Sequence, residues 1–364
     1  MGKIEEIIQN IVGIDYNFIN KAQNKLNNLT KPLGSLGVLE DLAKQIVGIT
    51  EKGNPELKNK VIFTLAGDHG VTEEGVSAYP KEVTAQMVYN FLNGGAGINV
   101  LANHIGARVV VVDMGVAEQI PNPNDQIPSK SQIPMTKFIL KKINLGTKNM
   151  AIGPAMTKEE AIKSIECGIE IFEDELKNGI DIIGIGEMGI GNTTSASAIT
   201  ACFTGASVED ITGRGTGIDD RGLKNKIEII KKALEINKPN PDDAIDVLSK
   251  VGGFEIGGLV GIIFAAALHK VPVLIDGFIS GSAALIAYKL EPKVKDYMIA
   301  SHCSVERGHK IILEHIGLRP LLNLDLRLGE GTGAALGINL AEAALKILTQ
   351  MATFDSAGVS NKTI

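Results

Sequence analysis

One carboxylate stands between glycines in the stretch Leu326-Arg327-Leu328-Gly329-Glu330-Gly331-Thr332-Gly333. Glycine lets the backbone take φ > 0 and lets a ligand approach the main chain closely. A glutamate there projects from backbone with little bulk around it, which suits a base acting on a small planar substrate. The competing reading is a loop acid favoured by the dipole of the Ala/Leu-rich helix that follows. A second stretch, Gly186-Glu187-Met188-Gly189-Ile190-Gly191-Asn192-Thr193-Thr194, follows an apolar run and opens a small-residue helix. Glycines at a strand-to-helix turn free N–H groups to converge on an anion at the helix N-terminus. The stretch lacks the Gly-Lys-Ser/Thr ending of a P-loop and is no dinucleotide fingerprint. Phosphate binding and a plain glycine-rich turn with an Asn or Thr cap are its two readings.

A third glycine cluster, Thr212-Gly213-Arg214-Gly215-Thr216-Gly217, leads into a helix carrying Lys224 and Lys226. A lysine acts as a point charge for phosphate; without that ligand, Lys226 reads as part of a solvated helix face. Ser301-His302-Cys303-Ser304 adds hydroxyls and an imidazole, with Ser304 placed to cap a helix. Asp68-His69, His302 and His309 show neither H-E-x-x-H nor paired-cysteine spacing, so no metal is expected. The absence of a G-x-S-x-G elbow speaks against a Ser-His-Asp hydrolase.

Positioning such residues needs a rigid frame. Short β-branched runs alternate with longer helical patterns, the signature of βαβ units and a parallel sheet. The expected strands are Val61–Leu65, Arg108–Val112, Thr136–Leu140, Asp181–Ile185, Val271–Ile275 and Tyr297–Ala300. Their near-continuous apolar character predicts helices on both faces. Helices are expected from Thr157, where Thr157 and Glu160 have capping-box spacing, and over about 192–204, 222–236, 243–250, 256–269 and 304–316. Five of the strands run out into Gly67-Asp68, Asp113, Gly186-Glu187, Asp276-Gly277 and Ser301-His302. Ligands of open α/β sheets bind outside the carboxyl ends of the strands, so these residues are expected to gather at one rim. The chain's two ends read as helical without strands, and the tail from Phe354 onward, polar and aperiodic, as mobile.

Composition narrows the function classes. The net charge is -6 and no basic stripe is evident, which disfavours nucleic acid. With Trp 0 and few aromatics, stacking platforms for single strands are disfavoured too. Three separated cysteines, Cys167, Cys202 and Cys303, fit a reducing cytosol. The acidic N-terminus lacks a signal-type core, and the apolar run from Ile256 to Leu268 is too short and Gly-rich to span a bilayer. A soluble cytoplasmic protein with no membrane association is expected.

Several blocks together carry a resemblance: K-P-L-G-S-L-G (31–37), A-G-D-H-G-V (66–71), P-K-E-V-T-A-Q-M (80–87), G-P-A-M (153–156), G-E-M-G-I-G-N-T-T (186–194), Asn225-Lys226, V-L-S-K-V-G-G-F-E (247–255), V-L-I-D-G-F (273–278), S-H-C-S (301–304) and R-L-G-E-G-T-G-A-A-L (327–336). In this order, across nearly the whole chain, the sequence resembles the nicotinate-nucleotide:dimethylbenzimidazole phosphoribosyltransferase family, which makes the lower-ligand nucleotide of cobalamin.

The resemblance implies a Rossmann-like α/β catalytic domain over 56–331 and a small helical domain from 1–55 plus 332–364, assembled as a homodimer. It implies transfer of phosphoribose from nicotinate mononucleotide to an aromatic base, with inversion at C1′ and without a cofactor. Glu330 falls on the family's catalytic base and Glu187 on the acid of its nicotinate and phosphate region. Phosphate and ribose contacts fall around Gly189, Asn192, Thr193, Gly215, Lys226, Gly277 and Ser304. Base-pocket positions fall on Leu328 and on the region from Tyr79 through Gln86 and Met87; a glutamine of some relatives corresponds to Gln86 or to Met87. A ribonucleotide N-glycosidic hydrolase or a nucleotide-sensing module on the same frame is the alternative.

Overall fold

The computed structural model describes residues 2–120 and 136–360. Six parallel strands form one sheet: β1 (Lys60–Gly67), β2 (Arg108–Gly115), β3 (Thr136–Leu140), β4 (Ile182–Met188), β5 (Val273–Ile275) and β6 (Met298–Ala300), in the order β3-β2-β1-β4-β5-β6. The chain winds outward from β1 in one direction, returns, and continues from β4 in the other. The gap between the β1 and β4 exits is therefore the switch point where α/β sheets bind ligands.

Strand side chains alternate between two cores, as period-2 geometry requires. Val61, Phe63 and Leu65 face one layer; Ile62 and Ala66 face the other. The first layer contains helices Lys158–Leu176, Asn192–Thr204, Phe254–Leu268 and Phe278–Leu290. Thr157 accepts from the Glu160 N–H and Glu160 answers at the Thr157 N–H, the expected capping box. The glycines of 254–268 serve helix contact. A Cβ at Gly168 would stand 1.9 Å from the Gly258 carbonyl oxygen, and one at Gly261 equally close to that of Ile165. The second layer is built from helices Val38–Thr50, Gly97–Ile105 and Thr332–Gln350.

Helix Tyr16–Asn27 packs on 38–50, and both meet 332–350, which also lies against β4 and β5. Helix Lys3–Asn10 packs instead in the opposite layer, against 254–268, through Ile4 and Ile7. Beyond the long C-terminal helix, Thr353 caps a turn at Phe354–Ala357, and the Phe354 N–H donates to the Asn28 carbonyl at 3.1 Å. Residues 361–364 of the tail lie outside the described residues. No described helix is long and apolar enough to cross a membrane.

One expected helix start moves. The helix expected from Ser304 begins at Arg307 with Glu306 at its N-cap. Residues 303 and 305 bond instead to Leu322 and Leu326, and the Ser304 N–H donates to His309 Nδ1 at 3.0 Å. This keeps 302–305 extended along the rim. Helices Val83–Leu92, Gly97–Ile105 and Phe278–Leu290 are additions to the expected set.

Candidate active site

Three successive residues take the left-handed conformation: Gly329 at φ +82, Glu330 at φ +64 and Gly331 at φ +95. For a glutamate this conformation costs on the order of 1 kcal/mol or more, so surrounding bonds must hold it. The Glu330 N–H donates to the Glu187 carbonyl at 3.2 Å, and the Glu330 carbonyl accepts from Thr64 Oγ1 at 2.9 Å. Gly331 N–H donates to Asp276 Oδ2 at 3.2 Å. Beneath the loop, a Cβ on Gly186 would stand 2.1 Å from the Gly331 nitrogen, so main chain lies directly on main chain.

The Glu330 side chain is 3% exposed. Oε2 accepts from the Ile98 N–H at 3.0 Å, in the first turn of helix 97–105. Burial raises its pKa above the ordinary carboxylate value, and the Ile98 N–H opposes the rise. The outcome is a fixed carboxylate of increased basicity, aimed into a cleft.

Two further acids lie nearby: Glu187 lines the cleft, and Asp276 sits beneath the Glu330 loop, accepting from Gly331 and Ala334. Burial pushes Glu187 up to about 8, and the charges of Asp276, Glu255 and Glu330 add to the rise against a hydrogen bond from the Asn192 amide. Burial pushes Asp276 up to about 7, against N–H donors that include Ala334 at 3.0 Å. Glu187 is therefore mostly protonated at neutral pH, which limits the negative charge around Glu330.

The cleft's other end is cationic. Lys226 is 1% exposed, and its Nζ donates to Thr193 Oγ1 at 2.6 Å. No carboxylate lies within ion-pair distance of it among the described residues. Burial pushes Lys226 down to about 8, while Glu306 supports its charge from further off. A buried ammonium without a counter-ion is a site prepared for an anion. Gly215, at φ +51, approaches so closely that a Cβ would meet Thr193 Oγ1 at 2.8 Å and Lys226 Nζ at 3.1 Å. Helix 192–204 opens beside them, its first turn adding N–H groups.

Glu187, Gly189, Asn192, Thr193 and Gly215 line one cleft of about 380 Å³, a size suited to a small ligand. Gly277, Ser304, Tyr79, Met87, Leu328 and Glu330 complete it. Lys226 stands directly behind Thr193. Gln86 does not belong. On helix 83–92, Val83 and Met87 are one turn apart and face the cleft, whereas Gln86 is turned to solvent. Of the two candidates, Met87 lines the pocket.

The sequence offered no sign of Glu306, whose Oε1 accepts from the Gly215 N–H at 2.9 Å and whose Oε2 is buried without a partner. Asp276 and His302 were visible only as strand-end residues. Phe278 and Arg327 also line the cleft. Among the described residues, no group of three or more His, Cys, Asp or Glu side chains is arranged to hold a metal.

A family model described as Phosphoribosyltransferase matches residues 11–359. The chain belongs to this phosphoribosyltransferase family. It is 52% identical over 360 residues to the nicotinate-nucleotide–dimethylbenzimidazole phosphoribosyltransferase of Desulforudis audaxviator, covering 99% of each chain. The Geobacter metallireducens protein of the same name is 53% identical over 359 residues, covering 99% of this chain and 98% of its own. The crystal structure of CobT from Thermus thermophilus superposes with a TM-score of 0.88 at 41% identity, over 95% of this chain and 100% of that one. In this phosphoribosyltransferase the cleft is lined by Thr193, behind which Lys226 stands, by the acids Glu187 and Glu330, and by the apolar side chains of Met87 and Leu328.

Proposed function

We propose that the protein transfers the 5-phosphoribosyl group from nicotinate mononucleotide to 5,6-dimethylbenzimidazole or a related aromatic base, giving α-ribazole 5′-phosphate and nicotinate, with Glu330 as general base. The observation that carries the reading is the Glu330 carboxylate, buried, held by the Ile98 N–H and facing a cleft whose wall at Thr193 is backed by the Lys226 ammonium, which has no carboxylate partner among the described residues. The phosphate goes to Lys226 and Thr193 beneath Gly215; the incoming base goes between Met87 and Leu328.

The chemistry needs one base. Nicotinate leaves as a neutral ring nitrogen, so no acid is required there. The attacking base uses one nitrogen while the other carries a proton, which becomes acidic as the new bond forms. Glu330 takes it. General-base assistance contributes ~10²–10⁴-fold, about 3–5.5 kcal/mol, and positioning both substrates contributes a further large share. A neutral Glu187 accommodates the nicotinate carboxylate without repulsion, whereas an ionised one would repel it.

Offering the purified protein nicotinate mononucleotide with a mixture of benzimidazoles, purines and phenolics, followed by mass spectrometry, tests this reading. Base-dependent appearance of a ribotide is the expected result. Rapid nicotinate release without any base would make the protein a hydrolase, and binding without turnover a sensing module. We assign a homodimer on the family resemblance, to be checked by light scattering.

A further inference from the structure

His302 follows β6 and lines the cleft on the wall that also carries Gly277 and Ser304. Its protonation pattern can be read from its neighbours. Ser301 Oγ lies 3.2 Å from His302 Nδ1, and Asp276 Oδ1 lies 3.9 Å from it. The Ser301 hydroxyl proton is directed to the Ile275 carbonyl at 2.7 Å, so its oxygen offers Nδ1 a lone pair. With acceptors facing it, Nδ1 carries the ring proton. Burial favours the neutral imidazole and pushes its pKa down to about 4. A neutral ring bears a single N–H, so Nε2 is a lone pair. This atom lies 3.8 Å from the Cβ position of the cleft-lining Gly277 and makes no hydrogen bond among the described residues.

That lone pair needs a donor, and nicotinate mononucleotide has few. Its phosphate and carboxylate groups are acceptors, and its ring nitrogen bears the ribose rather than a proton. Only the 2′- and 3′-hydroxyls can donate. The N–H of the incoming base is matched to Glu330. Placement agrees with this elimination. On one side His302 neighbours Asp276, which holds the Glu330 loop through Gly331. On the other, the run through Ser304 to Glu306 reaches Gly215 beside Lys226. His302 thus stands between the base end and the phosphate end, where the ribose must lie.

We infer that His302 is a specificity-determining residue whose Nε2 accepts a hydrogen bond from a ribose hydroxyl of the nucleotide, selecting ribonucleotides over deoxyribonucleotides. This rests on the proposed transfer from nicotinate mononucleotide. The test compares that nucleotide with its 2′-deoxy and 3′-deoxy analogues, in wild type, His302→Gln and His302→Asn, by kinetics and by calorimetric Kd. In wild type, one analogue should lose about 3–15-fold in kcat/KM and in affinity, with KM for the aromatic base unchanged. His302→Asn should lose a similar factor with the parent nucleotide and nothing further with that analogue. His302→Gln, whose amide oxygen reaches the Nε2 position, should recover part of the loss.

Equal use of all three nucleotides by wild type would overturn the inference, as would losses that multiply in His302→Asn for both analogues. If the variants do not fold, ¹⁵N NMR of wild type decides. The expected signature is an Nδ1–H tautomer whose Nε2 resonance moves on adding nicotinate mononucleotide; an Nε2–H tautomer overturns the assignment. Should wild type bind the parent nucleotide without transferring it, the proposed function fails, while the three Kd values still decide the role of His302.

Discussion

The main-chain N–H of Glu330 donates to the main-chain carbonyl of Glu187 at 3.2 Å, so the two cleft acids are mounted on segments bonded directly to each other. One acid belongs to β4 and the other to the loop ahead of the last long helix. Their environments then separate them: one is held by an N–H at a helix start, the other is pressed toward its neutral form.

Glu330→Gln keeps an acceptor for the Ile98 N–H and removes the base. Single-turnover ribotide formation should fall by at least ~10²-fold, with thermal melting little changed. A near-wild-type rate would take Glu330 out of its role.

Lys226 binds an anion best when charged, and its folded pKa of about 8 lies below the ordinary lysine value of 10.5. Nucleotide binding should therefore draw in a proton above about pH 8, and affinity should fall as pH rises further. Calorimetry in buffers of different ionisation enthalpy reads the uptake directly. Lys226→Met should abolish it and raise KM for the nucleotide by about one to two orders of magnitude, with a smaller effect on KM for the base. For the unliganded fold the sign is opposite: the unfolded chain holds this proton from about pH 8 to 10.5 and the folded one does not, so this group adds stability as pH rises there.

Glu187 behaves the other way. Its folded pKa is raised to about 8 from 4.5, so its contribution to stability is full below pH 4.5 and is lost as pH rises toward and through 8. Glu187→Gln copies the neutral form and keeps an acceptor for Asn192. Its melting temperature, relative to wild type, should be higher at pH 8.5 than at pH 5. A constant difference would show that Glu187 is ionised throughout.

Met87→Ala should change the ranking of aromatic bases in kcat/KM while KM for the nucleotide stays within about twofold. Gln86→Ala should change neither, because Gln86 lies on the solvent side of the same helix. Surface changes of that kind usually stay within about 0.5 kcal/mol.

Gly186→Ala forces a Cβ onto the Gly331 nitrogen. Overpacking against main chain, which cannot rotate away, should destabilise the fold by about 2 kcal/mol or more, measured by urea unfolding.

The legible part of this chain was its frame. Five of the six strands were readable because strands covered on both faces are continuously apolar; β3, a partly exposed edge strand, was readable from its short apolar run at 138–140, and five strands carry polar residues or glycine at their exits. Helix 278–290 escaped because its sequence is apolar and small all round and runs on from the turn at Asp276-Gly277, leaving no amphipathic stripe to detect. Lys226, one of several lysines on its helix, stood out only through the family resemblance, whereas Glu330 could be singled out from its glycine setting. Glu306 could not: its neighbours in sequence suggest nothing, and its meaning comes from Gly215, brought to it by folding. The choice between Gln86 and Met87 required the helical phase of 83–92, which the motif alone does not supply.

The contact of Gly186 with Gly331 has a consequence for how this enzyme can diversify. Where backbone rests on backbone, no side-chain exchange at that contact can shift the Glu330 carboxylate by a fraction of an ångström. Tyr79, Met87 and Leu328, by contrast, are only half-buried or exposed at the mouth. With the roles proposed for these residues, selection for a new acceptor base would rewrite that mouth one residue at a time while the carboxylate beneath stays in alignment, so substrate range and catalytic competence would evolve as separate traits.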